Sequence, residues 1–354
     1  NEGKIQAWLA EISKRRVHNR RVLNKSQYRV VKMVAKRVCL EYRALPGGMR
    51  FEDLPEPLRW SMHGGPGTGK THVIKIIKEE LFGEVLGWNI GMEFNIIALQ
   101  AVMADLLGGD TIHHALNIGI FGKKKKGNGS QDSRTRETMR SMLMLRWLII
   151  DEISMVSARL LADIDHQLRN YYRHNSEFAF NQKKVLRPFA GVNILFSGDF
   201  WQLPPPEGGF LGDIPFEYIQ NSRQYAPSPS IAHGQSLVWS GPDTGVQGVT
   251  ELSLCERTDD VWLQSVQAEF RYGKLTKDTH CFLHGKPTQV PGSTLNGHAQ
   301  CKSDWCKKRA IQMLELEKNG VLKEQLRAEY TDETMKRECK YCKKKERKAI
   351  ILVA

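Results

Sequence analysis

Two amphipathic helices are predicted before the Pro- and Gly-rich passage that begins at Pro46, because apolar residues recur there every three or four positions. The first helix has one narrow apolar stripe, which is typical of a helix that packs on a core. The second follows the segment 23–27 and carries four valines on one face. The positions that give the two patterns are Ile5, Trp8, Leu9 and Ile12 in the first helix, and Val30, Val31, Val34 and Val38 in the second.

From residue 58 onward, short apolar runs alternate with helical patterns. The runs 58–62, 94–98, 147–150 and 192–196 predict strands, and the segments between them carry helical periodicity. The third run is uninterrupted and ends in acid, which is typical of a central parallel strand. Strands that alternate with helices pair in parallel and carry helices on both faces. The sequence therefore predicts an α/β fold built on a parallel sheet.

Three other segments break this alternation. A stretch rich in Lys and Gly, 122–133, predicts a basic loop, and a stretch rich in Pro, Gly and Ser, 204–242, predicts a largely irregular region. Beyond Gly285 the alternation stops, and a mostly irregular tail begins that contains cysteines and lysines. Four apolar positions predict one helix inside that tail, namely Ile311, Leu314, Leu322 and Leu326.

The segment Gly64–Thr71 fits the pattern glycine, any four residues, Gly-Lys, then Ser or Thr. Glycines let successive backbone N–H groups point at phosphate oxygens, which a Cβ would obstruct. In such a loop, Lys70 reaches the β- and γ-phosphates and the Thr71 hydroxyl holds Mg²⁺. The helix that follows directs its positive end at the phosphates. We therefore expect a nucleotide site formed by Gly64, Gly65, Pro66, Gly67, Thr68, Gly69, Lys70 and Thr71.

Three polar residues follow predicted strands and are expected at the same sheet edge, where ligands of open α/β sheets gather. Asp151 would hold Mg²⁺ through water, and Glu152 would polarise an attacking water as general base. The alternative is a pair of solvated acids, and the P-loop favours the functional interpretation. Gln202 could sense the γ-phosphate, whereas a loop glutamine without a partner is the alternative.

Composition narrows the class of protein. The chain of 354 residues has a net charge of +13, which fits either a solvated basic surface or a polyanion partner such as nucleic acid. Its hydrophobic content of 41% suffices for a buried core. No apolar run reaches the length of a membrane span, so no membrane partner is expected. The first residues are polar and do not resemble a signal peptide. They also lack an initiator Met, which suggests a fragment or a trimmed chain.

Seven cysteines, an odd number, argue against a disulfide framework and favour a reducing, intracellular compartment. Four of them lie late in the chain, at Cys301, Cys306, Cys339 and Cys342. Zinc favours four thiolates that are supplied as two close pairs, and these four cysteines have that spacing. Free thiols in a basic tail are the equally supported alternative, and His284 or His298 could replace one ligand.

Four segments, in order, resemble the motifs of the petite-integration-frequency family of superfamily-one DNA helicases, and above all its Helitron-transposon branch. They are Gly64–Thr71, Gly108–His114, Leu148–Met155 and Phe196–Pro205. The resemblance covers the range 23–285, and four ordered matches are far more specific than one. It differs from the family pattern at 98–101, where relatives carry a Thr-Gly pair, and at 256–258, where Glu-Arg-Thr replaces Phe-Arg-Gln.

The resemblance implies a RecA-like ATPase lobe that uses ATP and Mg²⁺ and moves 5′ to 3′ on single-stranded DNA. It makes Gln27 the reader of the adenine edge and Arg257 an arginine finger, which would stabilise charge on the γ-phosphate. With these, the expected catalytic residues are Lys70, Glu152, Gln202 and Arg257. It also places His113 in a segment that contacts the DNA strand.

The same resemblance predicts how the chain is divided. We expect an N-terminal helix at 1–22, an ATPase lobe at 23–205, an irregular connector with Arg257 at 206–285, and the cysteine-containing tail at 286–354. No motif of a second RecA-like lobe follows residue 286, so the expected function is an ATP-dependent DNA helicase or its first motor lobe.

Two other functions stay open at this point. One is a transposon-derived DNA-binding remnant that binds ATP without unwinding, and the other is an ATPase of another class, such as a kinase or a clamp loader. Relatives act in DNA repair, recombination, telomere maintenance and transposition. The resemblance therefore implies the nucleus, with the mitochondrion as the alternative compartment.

Overall fold

The computed structural model describes the ranges 2–17, 20–43, 54–119, 144–172, 178–213, 229–258, 261–277 and 279–280, with isolated positions up to 312. The chain forms two compact units, Asn1–Arg257 and Thr258–Ala354. The predicted basic loop at 122–133 lies outside the described residues, and so does most of the predicted tail. The division into four domains therefore stays a prediction.

The strands of the first unit are β1 (Arg16–Val17), β2 (Arg20–Arg21), β3 (Arg59–Gly64), β4 (Phe94–Ala98), β5 (Asp110–Thr111), β6 (Trp147–Asp151), β7 (Asn193–Gly198) and β8 (Gly248–Leu252). Its helices are α1 (Glu2–Ile12), α2 (Lys25–Arg43), α3 (Lys70–Lys75), α4 (Ala101–Leu106), α5 (Ile112–Ala115), α6 (Ala158–Tyr172) and α7 (Pro229–Trp239). A π-helix, Ile76–Val85, continues α3 directly. The second unit contains α8 (Val261–Arg271).

Six strands form one sheet in the order β5-β4-β6-β7-β3-β8, and every pair in it is parallel. Strand β3 lies between β7 and β8, so that His63 is level with Gly198 on one side and with Glu251 on the other. Parallel strands bring their carboxyl ends to one edge. The segments that leave β3, β6, β7 and β8 therefore begin at the same edge of the sheet.

Alternate residues of the central strands bury themselves in two separate cores. On one face, Ile96, Ile149 and Leu195 pack with apolar residues of α1, α2, α3 and the π-helix. On the other face, Ile150 and Phe196 pack with apolar residues of α6 and α7. Because both faces are covered, strands β4, β6 and β7 are buried along their whole length. The predicted α/β fold with helices on both faces is confirmed.

The region predicted as an irregular connector contains regular elements, namely α7, β8 and α8. Strand β8 has an alternating burial pattern, since it lies at the edge of the sheet and only one of its faces is covered. The sequence of β8 therefore has no uninterrupted apolar run. None of the helices that the structure describes is long and apolar enough to span a lipid bilayer.

A buried arginine fixes the start of β3 to the segment before β8. The Arg59 side chain is fully buried, and its guanidinium donates hydrogen bonds to the carbonyl oxygens of Gly245 (2.9 Å), Pro242 (2.7 Å) and Asp243 (3.0 Å). Burial lowers the pKa of Arg59 to about 10. These bonds hold the loop that leads into β8, and thereby the strand that carries residues 253–257 to the sheet edge.

Candidate nucleotide site at the carboxyl edge of the sheet

The loop Gly64–Thr71 connects β3 to α3 and has the backbone conformation of a phosphate cradle. Gly67 (φ 77°) and Gly69 (φ 85°) are in the left-handed region, which glycine adopts without a Cβ penalty. A Cβ on Gly69 would come within 2.4 Å of the Gln27 side chain. The turn needs glycine at these two positions both for its backbone angles and for the space around it.

Lys70 begins α3, and its side chain is only 9% exposed. The ammonium group donates to the carbonyl oxygens of Gly64 (2.7 Å) and Gly65 (3.2 Å), so its charge lies inside the loop. The Thr68 hydroxyl also donates to the Gly65 oxygen (2.8 Å). The cradle thus combines a buried cation with the amino end of a helix, and both features favour an anion.

Gln27 lies against this loop. Its Nε2 donates to the carbonyl oxygen of Thr68 (3.0 Å), and its Oε1 accepts from the backbone N–H of Asn24 (3.0 Å). The Asn24 side chain in turn accepts from the backbone N–H of Gln27 (3.0 Å). This reciprocal pair is a capping box at the start of α2. An Asn followed three residues later by Gln, just before an apolar helix, is a signal that the sequence offers for it.

Asp151 ends β6 and is 4% exposed. Burial raises the pKa of its carboxyl group, while the Ser197 hydroxyl, the Glu152 backbone N–H and the Lys70 charge lower it. Burial is also the largest cause that raises the pKa of Glu152, followed by the negative charge of Asp151. Lys70 acts on both carboxyl groups in the opposite sense. The predicted cation and the predicted acids therefore form one electrostatic cluster.

The backbone of Glu152 is left-handed (φ 52°, ψ 49°), which is uncommon outside glycine. The short 3₁₀ helix Ile153–Met155 follows at once, and Gly198 at the end of β7 packs against it. A Cβ on Gly198 would lie 2.8 Å from the Ile153 nitrogen. Strand β7 can reach the level of Glu152 because a glycine stands at its end.

Asp199 and His63 organise the loop that carries Gln202. Asp199 is 1% exposed, and it accepts from the backbone N–H groups of Trp201 (to Oδ1, 3.1 Å) and Gln202 (to the carbonyl oxygen, 2.9 Å). His63, which precedes the P-loop, accepts from the Phe200 backbone N–H at Nε2 (3.1 Å) and stacks on the Phe200 ring. The start of the P-loop and the Gln202 loop are therefore in direct contact through a histidine that the sequence analysis did not select.

Glu152 and Gln202 share one cavity of about 520 Å³. Apolar side chains such as Met103 and Trp201 line it as well. The Ser154 hydroxyl also lies there, and it is fully buried without a hydrogen bond to the residues that the structure describes. The structure thus brings the expected general base and the expected γ-phosphate sensor to the same place.

Arg257 lies beside the P-loop. A Cβ on Gly67 would be 2.9 Å from the Arg257 Cβ and 3.1 Å from the Cys255 sulfur. The backbone N–H of Glu256 donates to the Gly67 carbonyl oxygen (2.8 Å). The segment after β8 therefore runs across the phosphate cradle, although more than 180 residues separate the two in sequence.

His113 lies on α5 and borders a different cavity, of about 640 Å³. The polar lining of this cavity includes Arg159, Asp163 and His166, and it contains no P-loop residue. His113 is thus apart from the cluster around Lys70. The predicted zinc ligands Cys301, Cys306, Cys339 and Cys342 lie outside the described residues, and within the described part no three His, Cys, Asp or Glu side chains form a metal site.

Comparison with known proteins agrees with this geometry. The family model of the PIF1-like helicases matches residues 57–223, the segment that contains the P-loop, Glu152 and Gln202. Over these residues the chain is similar to the PIF1-like helicase family. The family that the four motifs resemble is confirmed, while its Helitron branch stays a prediction.

Curated relatives of the PIF1-like segment carry the name ATP-dependent DNA helicase. The Bdellovibrio bacteriovorus Pif1 protein is 30% identical over 221 residues, which are 62% of this chain and 41% of that protein. Human PIF1 is 30% identical over 268 residues, which are 67% of this chain and 37% of that protein. The chain thus spans less than half the length of these relatives.

A crystal structure of the Pif1 helicase from Candida albicans is 22% identical. The superposition covers 76% of this chain and 49% of the Candida albicans chain, with a TM-score of 0.48.

Proposed function

We propose that the chain is the ATP-binding and ATP-hydrolysing lobe of an ATP-dependent DNA helicase that moves 5′ to 3′ on single-stranded DNA. The observation that carries this proposal is the meeting of four separate segments at one sheet edge. Lys70 lies in the loop after β3, Glu152 and Gln202 follow β6 and β7, and Arg257 follows β8. The names of the curated relatives support the helicase activity.

The residues at this edge fit a nucleoside triphosphate with Mg²⁺. Gly67 and Gly69 place no Cβ atom at the two left-handed positions of the loop, and the buried Lys70 supplies a positive charge inside it. Thr71 and Asp151 would hold the Mg²⁺ ion, and the ion would neutralise charge on the phosphates. A carboxylate that burial penalises, as in Asp151, regains stability beside a cation.

The other residues have distinct roles in the proposed reaction. Glu152 accepts a proton from the attacking water, and its raised pKa brings it closer to neutral pH, where a general base is more effective. Lys70 and Arg257 stabilise negative charge on the transferred phosphoryl group. Gln202 relays the state of the γ-phosphate to the DNA-binding surface, to which we assign His113. Gln27 reads the adenine edge with its remaining donor and acceptor positions.

The basic charge supports single-stranded DNA as the partner. A net charge of +13 favours a polyanion, and binding to its phosphates weakens as salt rises. The nucleus, with the mitochondrion as the alternative, follows from a DNA substrate. A role in repair, recombination, telomere maintenance or transposition, the Helitron branch and the four-cysteine zinc site are further parts of the proposal.

The test is ATP hydrolysis with and without single-stranded DNA, together with equilibrium binding of ATP and of labelled DNA. We expect DNA to stimulate hydrolysis in the wild type, and Lys70→Ala to abolish it. Lys75→Ala is the matched control, because it removes a lysine from the same helix outside the loop. Absence of ATP binding by the wild type would overturn the proposal. Binding of ATP and DNA without stimulated hydrolysis would favour the DNA-binding remnant instead.

A further inference from the structure

Three segments that are distant in sequence form a closed ring of hydrogen bonds around the P-loop. Gln27 bonds to the Thr68 carbonyl, Thr68 is one residue from Gly67, and the Gly67 carbonyl accepts from the Glu256 backbone N–H. The ring closes where the Asn24 side-chain amide donates to the Glu256 carboxylate (2.9 Å). We call this arrangement of Asn24, Gln27, Thr68, Gly67 and Glu256 the clasp.

The clasp holds two parts of the candidate site whose positions must agree. One end is the capping box that contains Gln27, the expected adenine reader. The other end is Glu256, whose next residue is Arg257. Glu256 is attached through both its backbone and its side chain, so Arg257 starts from a point fixed at the P-loop. Within the described residues, no hydrogen bond or ion pair holds the Arg257 guanidinium itself, so its direction depends on this starting point.

We propose that Glu256 is a positioning residue, and that its carboxylate, bound to Asn24, sets the reach of Arg257 toward the γ-phosphate. This inference rests on the proposed function, because it requires a nucleoside triphosphate in the P-loop. Glu256 acts through Arg257 and through Gln27 rather than by touching the reacting atoms. The bond between Asn24 and Glu256 links the capping box that contains Gln27, the expected adenine reader, to the segment that carries Arg257, the expected γ-phosphate contact.

The clasp predicts an effect that depends on the γ-phosphate. ADP has no γ-phosphate, so a displaced Arg257 should weaken ATP binding more than ADP binding. One exposed hydrogen bond to a charged acceptor contributes modestly. We therefore expect Glu256→Ala to lower the ratio of ATP affinity to ADP affinity about three- to tenfold, with a parallel loss in kcat.

Paired variants separate this role from a general effect on the fold. Asn24→Asp keeps the acceptor that caps α2, but it puts a carboxylate opposite Glu256 and so breaks the clasp. Adding Glu256→Gln restores a bond with the donor and acceptor exchanged, because the Gln amide can donate to the new Asp. Glu251→Ala is the matched control, since it removes an exposed glutamate from β8, five positions before Glu256.

The experiment measures equilibrium binding of fluorescent ATP and ADP analogues, together with thermal unfolding, for these variants and for Arg257→Ala. We expect Asn24→Asp and Glu256→Ala to lower the ATP-to-ADP affinity ratio, the Asn24→Asp/Glu256→Gln pair to recover it, and Glu251→Ala to leave it unchanged. In an Arg257→Ala background, Glu256→Ala should not lower the ATP-to-ADP affinity ratio further, because Glu256 affects this ratio through Arg257.

Two failures can be told apart. If Arg257→Ala itself leaves the affinity ratio unchanged, the role of Arg257 in the proposed function is wrong. If Arg257→Ala lowers the ratio while Glu256→Ala leaves it at the wild-type value, or adds its full effect on top of Arg257→Ala, the proposed clasp role of Glu256 is wrong and the ATP site stands.

Discussion

Replacing Gly69 with alanine should weaken ATP binding strongly while the protein stays folded. Gly69 has φ 85° and ψ 25°, a left-handed conformation that costs an L-residue about 1 kcal/mol or slightly more. The new Cβ would also lie 2.4 Å from Gln27 Nε2, which must then move. Gln27 is 2% exposed and is held at both ends of its amide, so it cannot move without losing its bond to Thr68.

The two effects add to a sizeable free energy. Loss of the Gln27–Thr68 hydrogen bond costs about 1 kcal/mol, which brings the sum to about 2–3 kcal/mol. If the loop relaxes in the free protein, ATP must restore the cradle, and this cost appears as an affinity about 30- to 150-fold lower. If the loop does not relax, the cost appears as a lower unfolding temperature.

The assay is equilibrium binding of a fluorescent ATP analogue, with thermal unfolding measured on the same samples. Gly91→Ala is the matched control, because Gly91 has nearly the same backbone angle (φ 81°) with no atom within 4 Å of a new Cβ. It should lower the unfolding temperature and leave ATP affinity unchanged. Wild-type affinity and wild-type unfolding temperature together in Gly69→Ala would refute the reasoning.

Three other substitutions test the site and its support. Glu152→Gln should keep ATP binding and lower kcat about 100-fold or more. Because burial raises the Glu152 pKa, the kcat of the wild type should fall on acidification at a pH above the ordinary glutamate pKa of 4.5. A pH profile of kcat whose acid limb lies at that ordinary value would contradict the assignment. Asp151→Asn should abolish hydrolysis but raise the unfolding temperature at pH 7. The raised pKa of Asp151 means that its ionised carboxylate destabilises the folded state at pH 7. A lower unfolding temperature in Asp151→Asn would show that the carboxylate stabilises the fold instead. Arg59→Met should reduce the free energy of unfolding, measured by urea denaturation, by about 2–4 kcal/mol, because three carbonyl groups lose their hydrogen-bond donor. A change below about 1 kcal/mol would argue against the role of Arg59 in holding the loop before β8.

Much of the fold follows from local sequence pattern, because its central strands are buried on both faces. The predicted strand at 94–98 has the observed bounds, and the strand at 147–150 extends by one residue to Asp151. Their uninterrupted apolar runs reflect burial along the whole strand. The placement of Asp151 at a strand end next to the P-loop followed from the same rule.

Other features depend on contacts that local pattern does not contain. Strand β3 has a weak apolar signal because it begins with Arg59. Its buried guanidinium donates one bond to the nearby Pro57 carbonyl and three to carbonyl groups more than 180 residues later. The bond between Asn24 and Glu256 spans 232 positions of sequence. The left-handed backbone of Glu152 also arises from tertiary packing. Only the capping box of Asn24 and Gln27 had a local signal that could have been used.

The order of strands in the sheet has a consequence for how the site is made during synthesis. β8 is among the later elements of the first unit in sequence, yet it pairs directly with β3, which carries the P-loop. A nascent chain can therefore close the sheet around β4, β6 and β7 while Gly67 still lacks its neighbours Glu256 and Arg257. Pairings over such separations form late and slowly. ATP affinity should consequently appear in full only after residue 257 has left the ribosome, which makes nucleotide binding a reporter of completed folding.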